Sequence, residues 1–183
     1  KLIFKIKKKI NLDNKKIEII KLNELFNYFG TDKGTAIKNP YSKDLKKSDN
    51  SLMGHGYAKF YEIYLARYKD KEIKLLEIGT WEGASIASFY YYFKNAIIFC
   101  IDRNYKLIFY SKRINFFYCD TTKINQINNF KNFLIKKKTK NFDIIIDDGS
   151  HIYSNILNNF KNFFEKVVPG GYYVIEDFNH YKY

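Results

Sequence analysis

Short apolar segments alternate with helix-like segments from residue 73 onward, and this alternation limits the fold more than any other feature of the sequence. Apolar strands without alternating polar residues are buried on both faces, as in a parallel sheet that helices cover on both sides. We therefore predict an α/β fold, a three-layer sandwich with a mainly parallel sheet. The predicted strands lie at 74–78, 96–101, 116–119, 142–146 and 172–175.

A carboxylate, or a carboxylate followed by glycine, ends each of these strands. Ligands of such sheets bind outside the carboxyl ends of the strands. Scattered acids would act only as surface solubilisers, whereas acids at successive strand ends converge on one cleft. The acids concerned are Glu77, Asp102, Asp120, Asp147 with Asp148, and Glu176 with Asp177.

The turn after the first strand holds Gly79 and Gly83, which let the backbone pass close to a ligand. It has neither the G-x-G-x-x-G pattern of dinucleotide enzymes nor a lysine-ended phosphate loop. Glu77 precedes the first glycine and would repel a phosphate. With Asp102 and Asp120 it indicates an adenosyl ligand without phosphates, although each acid alone is also explained as a helix N-cap.

Together these residues resemble class I S-adenosylmethionine-dependent methyltransferases, which have a Rossmann-like sheet. The closest resemblance is to the metal-dependent sugar O-methyltransferases related to macrocin and mycinamicin O-methyltransferases. It covers residues 28–183, and its most specific part is Asp148-Gly149-Ser150-His151 with the later Glu176-Asp177. The other segments that carry it are Gly30 to Gly34, His55 to Tyr61, Leu76 to Ser85, Asp143 to Asp147 and Pro169 to Gly171.

The resemblance implies S-adenosylmethionine as cofactor, bound by residues at the strand ends and by the loop before the first strand. It implies that Asp102 binds the ribose, Asp120 the adenine region and Asp147 the cofactor amino group. The remaining cofactor-binding residues that it implies are Glu77, Gly79, Thr80, Ser85, Asp32 and Lys33.

The resemblance also implies that Asp148, Glu176 and Asp177 hold one divalent cation. Three carboxylates make an all-oxygen site, which suits Mg²⁺, with Mn²⁺ or Ca²⁺ as substitutes. His151, three residues after Asp148, would be the general base, because an imidazole titrates near neutral pH. A lone histidine at a helix start is more often a capping or surface residue, and only its acidic neighbours favour the catalytic role.

Substrate contacts are expected from the segment before the first strand and from the end of the chain. The resemblance assigns His55 and Tyr57 to the part that covers cofactor and substrate. His180 is a weaker rival for the general base and a further candidate for substrate binding.

Two regions are predicted: residues 1–70, with a hairpin, a loop and a cap helix, and residues 71–183, the Rossmann-like domain. The hairpin would pair 2–6 with 17–20, and helices are expected at 22–29, at 57–68 and from about residue 106. The antiparallel C-terminal strands usual in such sheets are expected to be missing. The chain would then be a fragment, or a shortened member that completes its sheet through a partner. Whether the hairpin serves a homo-oligomer stays open.

The net charge of +13 raises the question of a nucleic-acid partner. Only three of the basic residues are arginines, the usual choice for phosphate and base recognition. Coding bias toward lysine explains the surplus better, so we expect no nucleic-acid partner. No apolar run is long enough for a membrane span. Cys100 and Cys119 lie in apolar stretches and are expected to be buried and reduced, which fits a cytoplasmic protein.

The leading hypothesis is an enzyme that methylates a hydroxyl of a sugar or sugar nucleotide. A surface-polysaccharide or nucleotide-linked sugar is expected in preference to an antibiotic sugar. The alternatives are a non-catalytic or partner-dependent module that keeps the sheet, and, third, a nucleic-acid methyltransferase, which the charge alone favours.

Overall fold

The computed structural model describes residues 8–36 and 53–178. Its strands are β1 (Ile10–Asn11), β2 (Lys74–Ile78), β3 (Ile97–Asp102), β4 (Phe109–Tyr110), β5 (Ile114–Tyr118), β6 (Phe142–Asp147) and β7 (Val167–Ile175). Its α-helices are α1 (Leu22–Phe29), α2 (Ala58–Leu65), α3 (Ala84–Tyr92), α4 (Ile124–Lys136) and α5 (Tyr153–Phe163). Single 3₁₀ turns follow α2 and α5, at Ala66–Tyr68 and Phe164–Lys166.

Five of the strands form one sheet in the order β5-β3-β2-β6-β7, and every neighbouring pair is parallel. The chain moves outward from β2 to β3 and β5, then returns to the other side of β2 for β6 and β7. The order therefore reverses between β2 and β6, where parallel sheets have their ligand crevice. The α/β prediction and the parallel arrangement are confirmed.

Two apolar layers cover the sheet because successive strand residues point to opposite faces. On one face Leu75 packs with α1, α2 and α3, where Phe26, Tyr61 and Phe89 form edge-to-face contacts. On the other face Leu76 packs with residues of α4 and α5. Helix, sheet and helix make the predicted three-layer sandwich.

The predicted N-terminal hairpin is wrong in its second strand, and its first strand lies outside the described residues. Residues 17–20 are irregular. Ile17 and Ile19 pack on the core without strand pairing, and the Tyr91 hydroxyl donates to the Lys15 carbonyl at 2.7 Å. The nearby strand is β1 instead, which pairs in parallel with β4.

The predicted helix from about residue 106 is not formed either. The chain is extended there, because its backbone bonds to neighbouring segments: Ile108 N donates to Glu82 O at 3.1 Å, and Ile10 N donates to Ile108 O at 2.8 Å. Residues 169–171, one of the segments that carry the resemblance, lie inside β7, where the register with β6 shifts between the Phe142 and Ile144 pairings. The helices at 22–29 and 58–65 follow their predicted positions.

Cys100 and Cys119 are both buried and free. Burial raises the pKa of Cys119 to about 12 and that of Cys100 well above its ordinary value. Both thiols therefore stay protonated at neutral pH, and their predicted burial is confirmed. Within residues 8–36 and 53–178 we find no helix with the length and apolar character needed to cross a membrane.

Candidate active site

A cleft of about 530 Å³ opens at the carboxyl ends of β2, β3, β5 and β6. Its position follows from the topology, because all these strands run in the same direction. Residues after β2, β3, β5 and β6 line it, together with the loop that follows α1. The predicted site residues in its wall are Asp32, Gly79, Thr80, Ser85, Asp102, Asp120, Asp148 and His151.

Asp102, at the end of β3, is nearly buried, and backbone N–H groups donate to both of its carboxylate oxygens. Its Oδ2 accepts the N–H of Trp81 at 2.8 Å, and its Oδ1 accepts the N–H of Asn104 at 2.6 Å. Each carboxylate oxygen keeps acceptor capacity after one such bond. The side chain is thus held ready to accept hydroxyl donors from a ligand in the cleft.

Asp120, after β5, also lines the cleft but is bonded locally. Its Oδ1 accepts from the Thr122 hydroxyl at 2.7 Å and from the Thr122 N–H at 3.1 Å. These bonds lower the pKa of Asp120 below its ordinary value. It remains ionised at neutral pH at the far end of the cleft from β6.

Glu77 lies behind the cleft wall and is completely buried. Because side chains alternate along β2, it points to the same face as Leu75 and meets the Ser85 hydroxyl, which donates to its Oε2 at 2.8 Å. Among the residues that the structure describes, none is hydrogen-bonded to its Oε1. Burial raises the pKa of Glu77 to about 8, even though the Lys33 ammonium acts in the opposite direction.

Lys33 ends in a buried cluster of carboxylates. Only 1% of the residue is exposed, and its ammonium group is paired with Asp148 Oδ2 and Glu176 Oε2. Burial alone lowers the pKa of Lys33, but the charges of Glu176, Asp148 and Glu77 outweigh it and raise the pKa above its ordinary value. Lys33 therefore stays charged and partly neutralises the acids around it.

The same cluster includes two tyrosines from the segment before β2. The Tyr61 hydroxyl, on α2, donates to Glu176 Oε1, and the Tyr57 hydroxyl donates to Asp177 Oδ1. Burial and these carboxylates raise the pKa of both phenols, so they act as donors. Burial likewise raises the pKa of Asp148 to about 7, partly offset by Lys33.

Three potential metal-ligand atoms lie within 4.8 Å of one another, one each from Asp148, His151 and Asp177. His151 Nε2 is 3.8 Å from Asp148 Oδ1 and 3.8 Å from Asp177 Oδ2. These distances exceed a hydrogen bond, so the imidazole is not tied to either acid. The group is half-exposed at the mouth of the cleft and has the donor types that bind a divalent cation.

Three residues that follow strands have left-handed backbones although none is glycine. They are Trp81 (φ 49°) after β2, His151 (φ 54°) after β6 and Asp177 (φ 52°) after β7. Such conformations are unfavourable for these residues and cluster at functional sites. Their occurrence at three neighbouring strand ends indicates that the functional site lies at this edge of the sheet.

Some predicted residues are placed differently from their expected roles. Asp147 does not line the cleft: Asn159 Nδ2 donates to its Oδ1 at 3.0 Å and the Tyr173 hydroxyl to its Oδ2 at 3.3 Å, so it anchors α5 and β7 rather than facing a ligand. Glu176 is a neighbour of the group that could hold a metal, but both its oxygens are taken by Lys33 and Tyr61.

The residues of the covering segment are brought to the site as expected. His55 stacks on Tyr57 with 5.1 Å between ring centroids, and its Nε2 lies 3.7 Å from Asp32 Oδ2. His180 lies outside the described residues. Sequence reasoning did not assign Tyr61 to the site, because an aromatic at helical spacing indicates core packing first. It did not assign Trp81 either, which lies in the turn between β2 and α3.

The fold and the cleft define an α/β protein with a ligand site at the switch point of a parallel sheet. Residues 76–178 match the family described as "Methyltransferase domain", which covers more than half of the chain. The chain belongs to this methyltransferase family.

Among curated proteins, the chain is similar to demethylmacrocin O-methyltransferase of Streptomyces fradiae, with 30% identity over 131 residues, 67% of this chain and 32% of that protein. It is also similar to mycinamicin VI 2''-O-methyltransferase of Micromonospora griseorubida, with 30% identity over 135 residues, 67% of this chain and 31% of that protein. The chain thus spans about a third of the length of these relatives. The predicted resemblance is confirmed.

Among solved structures, the chain is similar to the MycE methyltransferase of the mycinamycin biosynthetic pathway in complex with Mg and SAH. The TM-score is 0.66 at 27% identity, covering 86% of this chain and 39% of that one. A second MycE structure, in complex with Mg, SAH and mycinamycin VI, gives a TM-score of 0.65 at 27% identity, covering 87% of this chain and 38% of that one. The predicted fold class is confirmed.

Proposed function

We propose that this chain is an S-adenosylmethionine-dependent O-methyltransferase that transfers a methyl group to a sugar hydroxyl with the help of a divalent cation, Mg²⁺ first. The observation that carries the proposal is the meeting of Asp148, His151 and Asp177 at the mouth of a cleft whose wall contains Asp102. The names of the relatives, all of which are O-methyltransferases, support the reaction. The MycE complex with Mg and SAH supports both cofactors.

The residues present fit the methyl donor. The donor carries a cationic sulfonium and a ribose diol, and it supplies the activated methyl group. Asp102 would accept the ribose hydroxyls, and Asp120 would lie toward the adenine. Ser85, which donates its hydroxyl to the buried Glu77, lines the cleft and would contact the methyl donor there.

The residues also fit a divalent cation, which would polarise the acceptor hydroxyl as a Lewis acid. Asp148 and Asp177 are the carboxylates best placed to hold it, since each has an oxygen directed at the group that includes His151. Glu176 remains the third proposed ligand, and it would have to give up its pairing with Lys33. All-oxygen donors favour Mg²⁺ over softer metals.

His151 is the proposed general base. Its Nε2 makes no hydrogen bond with the acids beside it, so it would be available to take the proton of the acceptor hydroxyl. The methyl donor would supply the methyl group and leave as S-adenosylhomocysteine when its methyl–sulfur bond breaks. The carboxylates of Asp148 and Asp177, each 3.8 Å away, stabilise the imidazolium that results. His55 and Tyr57 would contact the acceptor from the covering segment.

The acceptor class rests on the relatives' names, which denote sugars of macrolides and tetracenomycins. A sugar hydroxyl is therefore the proposed acceptor. The sequence-based preference for a surface-polysaccharide or nucleotide-linked sugar has no support among these relatives. Both kinds of acceptor belong in the assay, as a panel of nucleotide sugars and glycosylated macrolides. The cytoplasmic location stays a prediction.

The decisive experiment combines binding and turnover. Calorimetry should show S-adenosylhomocysteine binding, and the Asp177→Asn variant should keep that binding while losing Mg²⁺-dependent turnover. Asp70→Asn removes an exposed acid paired with Lys94 and serves as the matched control. Absence of S-adenosylhomocysteine binding by a folded sample would refute the proposal, and turnover unchanged by a chelator would remove the metal from it.

A partner-dependent or non-catalytic module is the second candidate. One observation favours it: within the described residues, β7 pairs with β6 and has no strand on its other side. S-adenosylhomocysteine binding without turnover on any acceptor would support this candidate. Nothing in the site favours the third, a nucleic-acid methyltransferase, over these two.

A further inference from the structure

The Lys33 ammonium lies between two of the carboxylates that the proposed function assigns to the divalent cation. It is paired with Asp148 Oδ2 and Glu176 Oε2, and the residue is almost fully buried. The described structure records no other lysine or arginine paired with either acid. Lys33 is therefore the cation that balances this pair of acids when no metal is bound.

We propose that Lys33 is a built-in competitor of the divalent cation: it occupies the Asp148–Glu176 pair in the metal-free protein and must withdraw for Glu176 to become a ligand. This inference rests on the proposed function, and it concerns only the metal site. The Lys33 ammonium already contacts Glu176 Oε2, and a second positive charge at this range is repelled strongly in a buried site. Lys33 would thus lower the affinity of the site for the divalent cation.

The arrangement of the other acids agrees with such an exchange. Asp148 directs Oδ2 to Lys33 and Oδ1 toward His151. One oxygen is therefore paired with the lysine, and the other faces the group formed with His151 and Asp177. Within the described part of the chain, Asp177 is paired with no lysine, and its Oδ1 accepts the Tyr57 hydroxyl. A cation can therefore enter through Asp148 Oδ1 and Asp177 before Lys33 moves.

The position of Lys33 in the chain allows it to withdraw. It lies in the loop between α1 and the isolated bridge of Ala36 with Met53, next to Gly34. Neighbouring residues anchor the loop by main-chain bonds, with His55 N donating to Asp32 O at 2.7 Å and Gly56 N donating to Gly34 O at 3.0 Å. Withdrawal of the Lys33 side chain would therefore not require these main-chain bonds to break.

The test is a Mn²⁺ titration of the wild-type chain and the Lys33→Met variant, followed by calorimetry or electron paramagnetic resonance. Methionine keeps the length and apolar stem but removes the charge. The variant should bind Mn²⁺ about tenfold more tightly or better, because a competing positive charge is gone. The exposed Lys94→Met variant removes the same charge far from the site and should bind like wild type.

Each alternative result has a definite meaning. Equal affinity of Lys33→Met and wild type overturns the competition but leaves the proposed function standing. Weaker binding by the variant also overturns it, and shows that Lys33 organises the carboxylates instead. If neither protein binds Mn²⁺ while both bind S-adenosylhomocysteine, the metal site and this inference fail together, but the methyl-donor site survives.

A labelling measurement on the wild type covers the case in which Lys33→Met does not fold. Lys33 should react slowly with acetic anhydride without metal, because its amine is buried and paired, and faster when Mn²⁺ is present. Mass spectrometry reports the modification residue by residue, and the exposed Lys94 gives the internal standard. Unchanged labelling of Lys33 at saturating Mn²⁺ would overturn the proposal.

Discussion

Gly79 and Asp148 touch through their backbones: the α-carbon of Gly79, just after β2, lies against the main-chain carbonyl of Asp148, just after β6. A side-chain carbon built on Gly79 would overlap that carbonyl, and Gly79 also has a φ of +88°. The two strand ends can approach this closely only because position 79 has no side chain. This contact sets the narrow floor of the cleft at the switch point of the sheet.

Replacing Gly79 by alanine should therefore destabilise the fold by about 2–5 kcal/mol, the sum of a left-handed backbone and a steric overlap. Gly170→Ala is the matched control, because its φ is +76° but nothing lies within 4 Å of an added carbon. The Gly170→Ala change should lower the free energy of unfolding by only about 1–2 kcal/mol. Urea unfolding measures both variants. Equal losses would mean that the strand ends can separate without cost.

The buried acid Glu77 should make stability depend on pH. Its pKa is about 8 in the folded chain, against an ordinary value of 4.5. The folded state therefore holds a proton that the unfolded state has lost, and the free energy of unfolding must fall as pH rises from 4.5 to 8. The pKa of Asp148 is raised to about 7 and that of Asp147 to about 6. Both acids therefore also lower the free energy of unfolding as the pH rises toward these values.

The Glu77→Gln variant should lose part of this slope. It should be more stable than wild type at pH 8 and differ little from it at pH 5, because glutamine can still accept the Ser85 hydroxyl but carries no charge. Chemical unfolding at the two pH values measures the difference. Glu165→Gln, on the exposed 3₁₀ turn after α5, should leave the slope unchanged. A wild-type curve that is flat between pH 5 and 8 would contradict the burial of an ionisable Glu77.

Tyr61 should contribute to stability through its hydroxyl as well as its ring. Tyr61→Phe keeps the contacts with Phe26 and Phe89 but leaves Glu176 Oε1 buried without its donor. The expected loss is about 1–3 kcal/mol of unfolding free energy. Tyr64→Phe, on the exposed side of the same helix, should change it by less than about 0.5 kcal/mol. If both variants lose the same unfolding free energy, the Tyr61 hydroxyl contributes nothing to stability and only the ring does.

His151→Ala should lower the rate of methyl transfer by about two to four orders of magnitude, as expected for loss of a general base. The affinity for S-adenosylhomocysteine should stay the same, since His151 is assigned to the acceptor proton. Single-turnover rates across pH 5–9 provide the measurement. A variant that keeps the wild-type pH profile would exclude His151 as the base and favour a role in metal binding.

Most of the sheet and the position of the cleft could be predicted from the sequence. Strands β2, β3 and β6 are apolar on both faces, and this pattern has no good alternative to a covered parallel strand. The rule that ligands lie at the carboxyl ends then places Asp102, Asp120 and Asp148 together without further information. Gly79 fits the prediction that glycine in this turn allows a close backbone approach, because its contact with Asp148 leaves no room for a side chain.

The parts that sequence reasoning missed depend on contacts between distant segments. The sequence points to Lys33 as a cofactor-binding residue but not to its pairing with Asp148, because that acid is 115 residues away in the chain. Asp147 and Asp148 are adjacent, so only the strand geometry decides that the first points into α5 and β7 while the second points to the cleft. The predicted second strand of the hairpin fails for the same reason, because Ile17 and Ile19 pack on the core instead of pairing with a strand.

The left-handed backbones at Trp81, His151 and Asp177 carry an evolutionary consequence. Glycine at any of them would relax the chain and raise its melting temperature, yet it would delete the ring, the imidazole or the carboxylate that the cleft presents. Selection for thermal robustness and selection for turnover therefore pull in opposite directions at these three positions. A library randomised there and sorted first for heat resistance should become rich in glycine and poor in active clones.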